Sequence, residues 1–323
     1  MDLIELESLK KRISNVDLFI SFCSFDDRTF QIAKSLPYNE VKKALIFINK
    51  KAPEEAKQNL EVFKTAFIEK CIIEGVELFD PIALADNMFS SIRKVLGENS
   101  HHNILVDVTS FNHESLCIFV ALSSIFLNNN HIDFVYCNAL SYASETEVES
   151  QKWLSRGIRD VRTVLGFSGD FDSNRETTLI MMVGYESERA WRIIDTLSPD
   201  QLIITYNDST GSTTEVNCDA DERYANLLED LAVYYEKPDK YIIPSNDPIK
   251  TMNELEKIIK CIGKDNNIIL VPMNNKLSTI GAAMLALKYP EIQLCYAPAT
   301  IYNTKYYSTP GNRCYLFNFM KGE

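Results

Sequence analysis

Short apolar runs alternate along this chain with stretches in which apolar residues return at helical spacing. Residues 17–25, DLFISFCSF, form a run rich in Phe and Ile, and the DDRTFQIAKSL that follows opens on acidic residues before taking a helical period. The pattern recurs as KKALIFINK with a helix from about Pro53 to Cys71, VELFDP with a helix to about Leu96, NILVDVTSF with NHESLCIFVALSSIFL, and HIDFVYCNA. Five strands alternating with helices predict a parallel sheet covered on both faces. After a connector at residues 140–176 the order starts again: TTLIMMVGYESERAWRIIDTL, QLIITYN, a helix near Glu222–Glu236, KYIIPSNDPIK, a further helix, NIILVPMNNKLSTIGAAMLAL and IQLCYAPA.

The expected fold is therefore α/β, with two tandem Rossmann-like parallel-sheet halves at 1–139 and 177–323. Internal duplication accounts for local matches at offsets near 160–167 residues: Asp27-Arg28 with Glu188-Arg189, Asp80-Pro81-Ile82 with Asp247-Pro248-Ile249, and Tyr136 with Tyr296. Convergence of two α/β units is the alternative. The connector carries Trp153, Arg156, Arg159 and Arg162, which read either as polar groups delivered to a site or as partners in surface ion pairs. The tail, TIYNTKYYSTPGNRCYLFNF, has the alternation and Pro-Gly turn of a C-terminal β-hairpin at a sheet edge.

The chain has 323 residues and a formal charge of −12, which excludes a broad basic footprint for duplex nucleic acid. No segment has the uncharged length of a membrane span or a signal-peptide core, so a cytoplasmic location and no membrane partner are expected. Eight cysteines lie scattered with no CxxC pair and read as reduced core residues. The four histidines have no companions at metal-ligand spacing, so neither a metal nor a cofactor is expected.

In an open parallel sheet, ligands bind beyond the carboxyl ends of the strands, at the point where the connections leave to opposite faces. Polar segments follow the first and fourth strands of each half. They contain Ser24, Asp27 and Arg28; Asp107, Thr109, Ser110 and Asn112; Tyr185, Glu186, Glu188 and Arg189; and Asn274, Asn275, Lys276, Ser278 and Thr279. Each leads into a helix N-terminus, whose free amides favour an anion. Asn275-Lys276 with Ser278 and Thr279 is the strongest phosphate candidate, while helix capping is the structural alternative for every segment. GxGxxG, GxxxxGK[ST] and GxSxG are absent, which disfavours a conventional NAD domain, a P-loop and a serine hydrolase elbow. Asp107 and Glu186 stand where burial could adapt a carboxylate to acid–base or nucleophilic work, with Tyr185 and Tyr296 placed to stack on a base. Asp27-Arg28 and Glu188-Arg189 could alternatively be turn-fixing ion pairs.

Asp107-Val108-Thr109-Ser110 and Asn274-Asn275-Lys276-Leu277-Ser278 resemble the ligand loop after the fourth strand of CRISPR-associated Rossmann-fold (CARF) sensor domains, although the Gly-Gly-Thr-Lys form of that loop is absent. Such domains pair two Rossmann-like units around a cyclic oligonucleotide, and the related SAVED domain fuses two units in one chain. The resemblance implies a nucleotide or small phosphorylated ligand held between the halves, and a role in bacterial antiviral defence through a separate protein partner. VDLFISFCSFDD is also similar to the opening of TIR domains, and nucleoside deoxyribosyltransferase-like folds place a catalytic Glu in a comparable sheet. That likeness implies a nucleotide or nucleoside hydrolase or transferase using Asp107 or Glu186. A structural adaptor docking a partner through its tyrosine-rich tail is the third reading.

Overall fold

The computed structural model describes residues 1–97, 101–143, 152–207, 238–263 and 265–319, with Leu227, Glu229, Leu231 and Tyr235 as single positions. Cys218 and most of the helix expected near Glu222–Glu236 lie outside the described residues. The chain divides into two compact units. The first comprises Met1–Ser115, Leu122–Glu145 and Tyr307–Glu323, and the second Leu116–Ala121 and Thr146–Tyr306.

The first unit opens with strand β1 (Asp2–Glu5) and helix α1 (Leu6–Arg12), followed by β2 (Val16–Cys23), α2 (Gln31–Ser35), β3 (Val41–Asn49), α3 (Glu54–Phe67), β4 (Cys71–Val76), α4 (Pro81–Leu96), β5 (Asn103–Asp107), α5 (His113–Phe126), whose middle, Leu116–Ala121, belongs to the second unit, and β6 (His131–Tyr142). The second contains β7 (Ser155–Ile158), β8 (Arg162–Ser168), β9 (Thr177–Met182), α6 (Ser187–Leu197), β10 (Gln201–Tyr206), β11 (Asp239–Ile242), α7 (Pro248–Ile262), β12 (Asn267–Pro272), α8 (Lys276–Lys288), β13 (Gln293–Tyr296) and β14 (Ala299–Tyr302). The last strand, β15 (Ser308–Asn318), returns to the first unit.

The sheets are ordered β1-β15-β6-β5-β2-β3-β4 and β11-β10-β9-β12-β13-β8, and β14 pairs with β7 as a separate ribbon. Within each sheet five strands are parallel, and numbered from β2 or from β9 they share the order 3-2-1-4-5. This is the α/β, Rossmann-like architecture that the alternating pattern predicts. Strands β2 and β12 are buried almost throughout, because helices cover both faces of a parallel sheet. Core clusters form around Phe19, Ile46, Phe63 and Phe67 in the first unit and around Leu179, Met181, Ile193 and Val271 in the second.

Asp-Pro-Ile opens a helix in both units. Asp80 and Asp247 each accept N-cap hydrogen bonds, from the amide of Ala83 and from those of Ile249 and Lys250, while Pro81 and Pro248 occupy the first helical position. Among the described residues no helix is long and apolar enough to cross a membrane.

Two expectations need correction. The third strand is CIIEGV at 71–76, five residues before the expected VELFDP, because this edge strand buries only Val76 and lacks the apolar run that marks the interior strands. The tail forms no hairpin with itself: β14 pairs with β7, whereas β15 lies between β6 and β1. Alternation specifies a strand but not its partner. The topology is thereby reciprocal. Strands β7 and β8 follow the first unit's last parallel strand in sequence and join the second unit, while β15 follows the second unit's last strand and joins the first.

Candidate functional site

The topological switch point of the first sheet lies between β2 and β5, and that of the second between β9 and β12. The turn after β2 is built on Asp26, whose carboxylate accepts the amide of Arg28 at 3.0 Å and caps a 3₁₀ turn over Asp27–Phe30. The Arg28 side chain folds back on the same carboxylate, with Nε 3.0 Å and Nη2 2.7 Å from Oδ2. Its Nη1 donates to Tyr136 Oη at 3.3 Å and Tyr142 Oη at 3.2 Å, and Ser308 Oγ of β15 donates to Asp26 Oδ1 at 2.8 Å. Arg28 is 4% exposed and Asp26 6%. Burial alone would pull the guanidinium's pKa down, but Asp26 and the two tyrosines outweigh it and hold the group well above its ordinary value. The carboxylate in this ion pair is Asp26 and not Asp27, which is exposed at the turn.

The second unit repeats the arrangement. Glu186 Oε2 accepts from Arg189 Nη1 at 2.7 Å and from Ser155 Oγ at 2.6 Å, Arg189 Nη2 donates to the carbonyl of Ala297, and the guanidinium lies 6.0 Å from the Tyr296 ring centroid. The strand register is equivalent as well: Ser308 pairs with Tyr142, and Ser155 pairs with Tyr302. One difference follows from spacing. Asp26 precedes its arginine by two residues and grips it with both oxygens. Glu186 precedes its arginine by three and uses one, leaving Glu186 Oε1 and Arg189 Nε buried without a hydrogen-bond partner. Glu188 pairs instead with exposed Arg192.

Loops after the fourth strands complete each switch point. Asp107 is fully buried, and its Oδ1 accepts from the Thr109 amide at 3.0 Å and the Thr109 hydroxyl at 2.5 Å. Burial pushes its carboxyl up to about 7, with Thr109, Ser21 and Arg28 opposing the rise. Thr109 Oγ1 also accepts the Cys137 amide at 2.9 Å, so the loop is stitched to β6. Ser110 Oγ is buried without a partner, and Asn112 caps α5 by accepting the Ser115 amide at 2.6 Å.

In the second unit Gly184 abuts the loop after β12. A Cβ there would drive into the Met273 carbonyl and Asn274 Cα, so this close approach of two backbones requires glycine. Asn274 Nδ2 then bridges the Val183 carbonyl and Asn207 Oδ1, each at 2.7 Å. Asn275 and Ser278 form a reciprocal capping box, and the Thr279 hydroxyl donates to the Asn275 carbonyl at 2.8 Å.

This geometry sorts the expected site residues. Arg28, Thr109, Asp107, Arg189, Ser278, Thr279 and Tyr296 are buried: the first six make internal hydrogen bonds, and Tyr296 lies against Arg189. Ser24 and Asn112 in the first unit, and Tyr185, Asn274, Asn275 and Lys276 in the second, remain partly accessible beside the switch points, while Ser110 is half-buried with its hydroxyl fully so. Sequence reasoning missed Asp26, Tyr142, Ser155, Asn207 and Ser308. Tyr142 and Tyr302 lie at the spacing that relates Tyr136 to Tyr296, a signal legible in advance. Ser155 and Ser308 enter through strands whose pairing the sequence does not reveal. The connector does deliver a polar group, Ser155, to the turn after β9, while Arg156 lies over Trp153 at 4.6 Å. Among the described residues no group of three or more His, Cys, Asp or Glu is placed to hold a metal ion.

No protein-family model matches the chain, and no curated protein matches it in sequence. Among solved structures it is similar to the cytoplasmic domain of a prokaryotic cation chloride cotransporter. The identity is 9%, the match covers 90% of this chain and 97% of that one, and the TM-score is 0.28, a level at which nothing further is drawn from it.

Proposed function

We propose that this chain is a nucleotide-binding regulatory protein of the bacterial cytoplasm that takes its ligand at the carboxyl edges of its sheets and signals to a separate protein partner. The observation that carries this reading is the pairing of two sheets of equal strand order with two equivalent Arg-centred braces. Each brace fixes the turn after its sheet's first parallel strand, and partly accessible polar residues lie in the loops at the same switch point. A rigid turn with backbone amides and a few polar side chains suits a ligand's phosphate and hydroxyl groups. Lys276, first residue of α8, supplies the cation; Asn274 lies two residues before it, and Tyr185 follows Gly184, which abuts Asn274. The resemblance of the loops to CARF and SAVED domains favours a cyclic oligonucleotide among nucleotides, and antiviral defence as the setting.

A hydrolase or transferase acting through Asp107 or Glu186 is less well supported. Asp107 has no accessible surface, and Glu186 is committed to Arg189 and Ser155. The test is isothermal titration of the full chain against mononucleotides, NAD and cyclic di- to hexanucleotides. The expected result is saturable binding by at least one of them, weakened about 10- to 100-fold in Lys276→Ala, the worth of one charge-assisted phosphate contact. Absence of binding across the panel by folded protein, or unchanged affinity in both Lys276→Ala and Asn274→Ala, overturns the reading.

A further inference from the structure

Cys137 of β6 and Cys314 of β15 are direct cross-strand partners in an antiparallel pair whose register runs regularly from Cys314 to Asn318. Antiparallel partners alternate between a hydrogen-bonded pair and a closer, non-hydrogen-bonded pair. The hydrogen bonds decide which kind this is. The Cys137 amide donates to Thr109 Oγ1 and the Val135 carbonyl accepts from Val108, so both residues aim their backbone groups toward β5. Residues 135 and 137 therefore do not bond to β15, and Cys137–Cys314 is a non-hydrogen-bonded pair, with Cα atoms about 4.5 Å apart. That separation falls in the range of roughly 4.4–6.8 Å that a disulfide spans without backbone movement. Both side chains are fully buried, belong to the same core cluster and are free thiols.

We infer that Cys137 and Cys314 form an intramolecular disulfide under oxidative challenge, clamping the C-terminal strand into the first unit's sheet. With a hydroperoxide as oxidant, one thiolate attacks the peroxide oxygen to give a sulfenic acid and, after protonation, one molecule of product water or alcohol. The second thiol displaces the sulfenyl oxygen as water, so the two thiols lose two electrons and the peroxide gains them. Burial raises both thiols, Cys314 to about 12, so the reduced pair is stable at rest and reacts through local opening of β15. β15 also carries Ser308, the donor to Asp26, and the bond would fix the brace behind the turn after β2. This inference holds whether or not the chain binds a nucleotide.

The experiment treats the full chain, with exposed Cys261 replaced by Ser, with hydrogen peroxide or diamide, alone and in sub-denaturing urea. Non-reducing peptide mass spectrometry and thermal unfolding follow. The expected result is a 137–314 linked peptide, lost in Cys314→Ser, faster formation in urea, and a rise in Tm of about 5–10 °C because the bond closes a long loop. A Cys137–Cys314 bond absent from the oxidised chain under both conditions, or present with a lowered Tm, overturns the inference. If Cys314→Ser fails to fold, the wild-type peptide map still decides.

Discussion

Replacing Arg28 with Met removes the guanidinium that Asp26 grips through both carboxylate oxygens and that Tyr136 and Tyr142 contact from β6. Asp26 is then left in a site with 6% exposure, with only Ser308 Oγ and the turn amide as donors. Stripping one partner from a buried ion pair costs about 3–5 kcal/mol, because the surviving charge stays desolvated. Arg189→Met tests the same architecture in a weaker form. Glu186 engages Arg189 through a single oxygen and its own side chain is 15% exposed, so water takes up part of the loss and about 1–3 kcal/mol is expected. Urea unfolding followed by far-UV circular dichroism measures both. Hydrogen exchange across residues 131–142 and 308–318 assigns the Arg28 loss to the first unit. A loss below about 1 kcal/mol for Arg28→Met, or a larger loss for Arg189→Met, would refute the idea that these clusters brace the switch-point turns.

Two further perturbations separate local effects. Asp107 holds its proton up to about pH 7 in the folded chain and to about pH 3.9 unfolded, so its contribution is complete below the unfolded value and is lost as pH rises through 7. The swing is about 4 kcal/mol; Asp107→Asn, which cannot ionise, should unfold with a flatter pH dependence between 4 and 8 in urea titrations, and an unchanged slope would contradict the assigned burial. Gly184→Ala should cost about 2 kcal/mol or more and weaken ligand binding, since the new methyl displaces the Met273 carbonyl; calorimetry and titration on one preparation would expose a neutral outcome.

The short apolar runs and the helical periods between them made the α/β class and most of the parallel strands readable, because interior strands such as β2 and β12 must be apolar on both faces. Edge strand β4 escaped because a strand buried on little of its length carries no such run. The acidic-plus-Arg turns were also visible, but the partner carboxylates were misassigned by one or two positions: Asp26 and Glu186 rather than Asp27 and Glu188. Which neighbour folds back on an arginine depends on the turn's dihedral angles, and composition does not encode them. Ser278 and Thr279 looked like phosphate ligands because the residues that cap a helix are the residues that bind an anion. Only the hydrogen bonds to Asn275 separate the two uses. Ser155 and Ser308 were beyond reach for a topological reason: each arrives on a strand, β7 in a separate ribbon with β14 and β15 in the first sheet, whose pairing partner lies far away in sequence.

If this chain works as proposed, its ligand binds at the switch points beside the braced turns. Hydrogen–deuterium exchange of the full chain, with and without the nucleotide that titrates, tests this most directly. The expected result is ligand-dependent protection confined to the turns at 24–28 and 107–115 in the first unit, or 183–190 and 272–280 in the second. Protection elsewhere, with those four segments unchanged at saturating ligand, would contradict it.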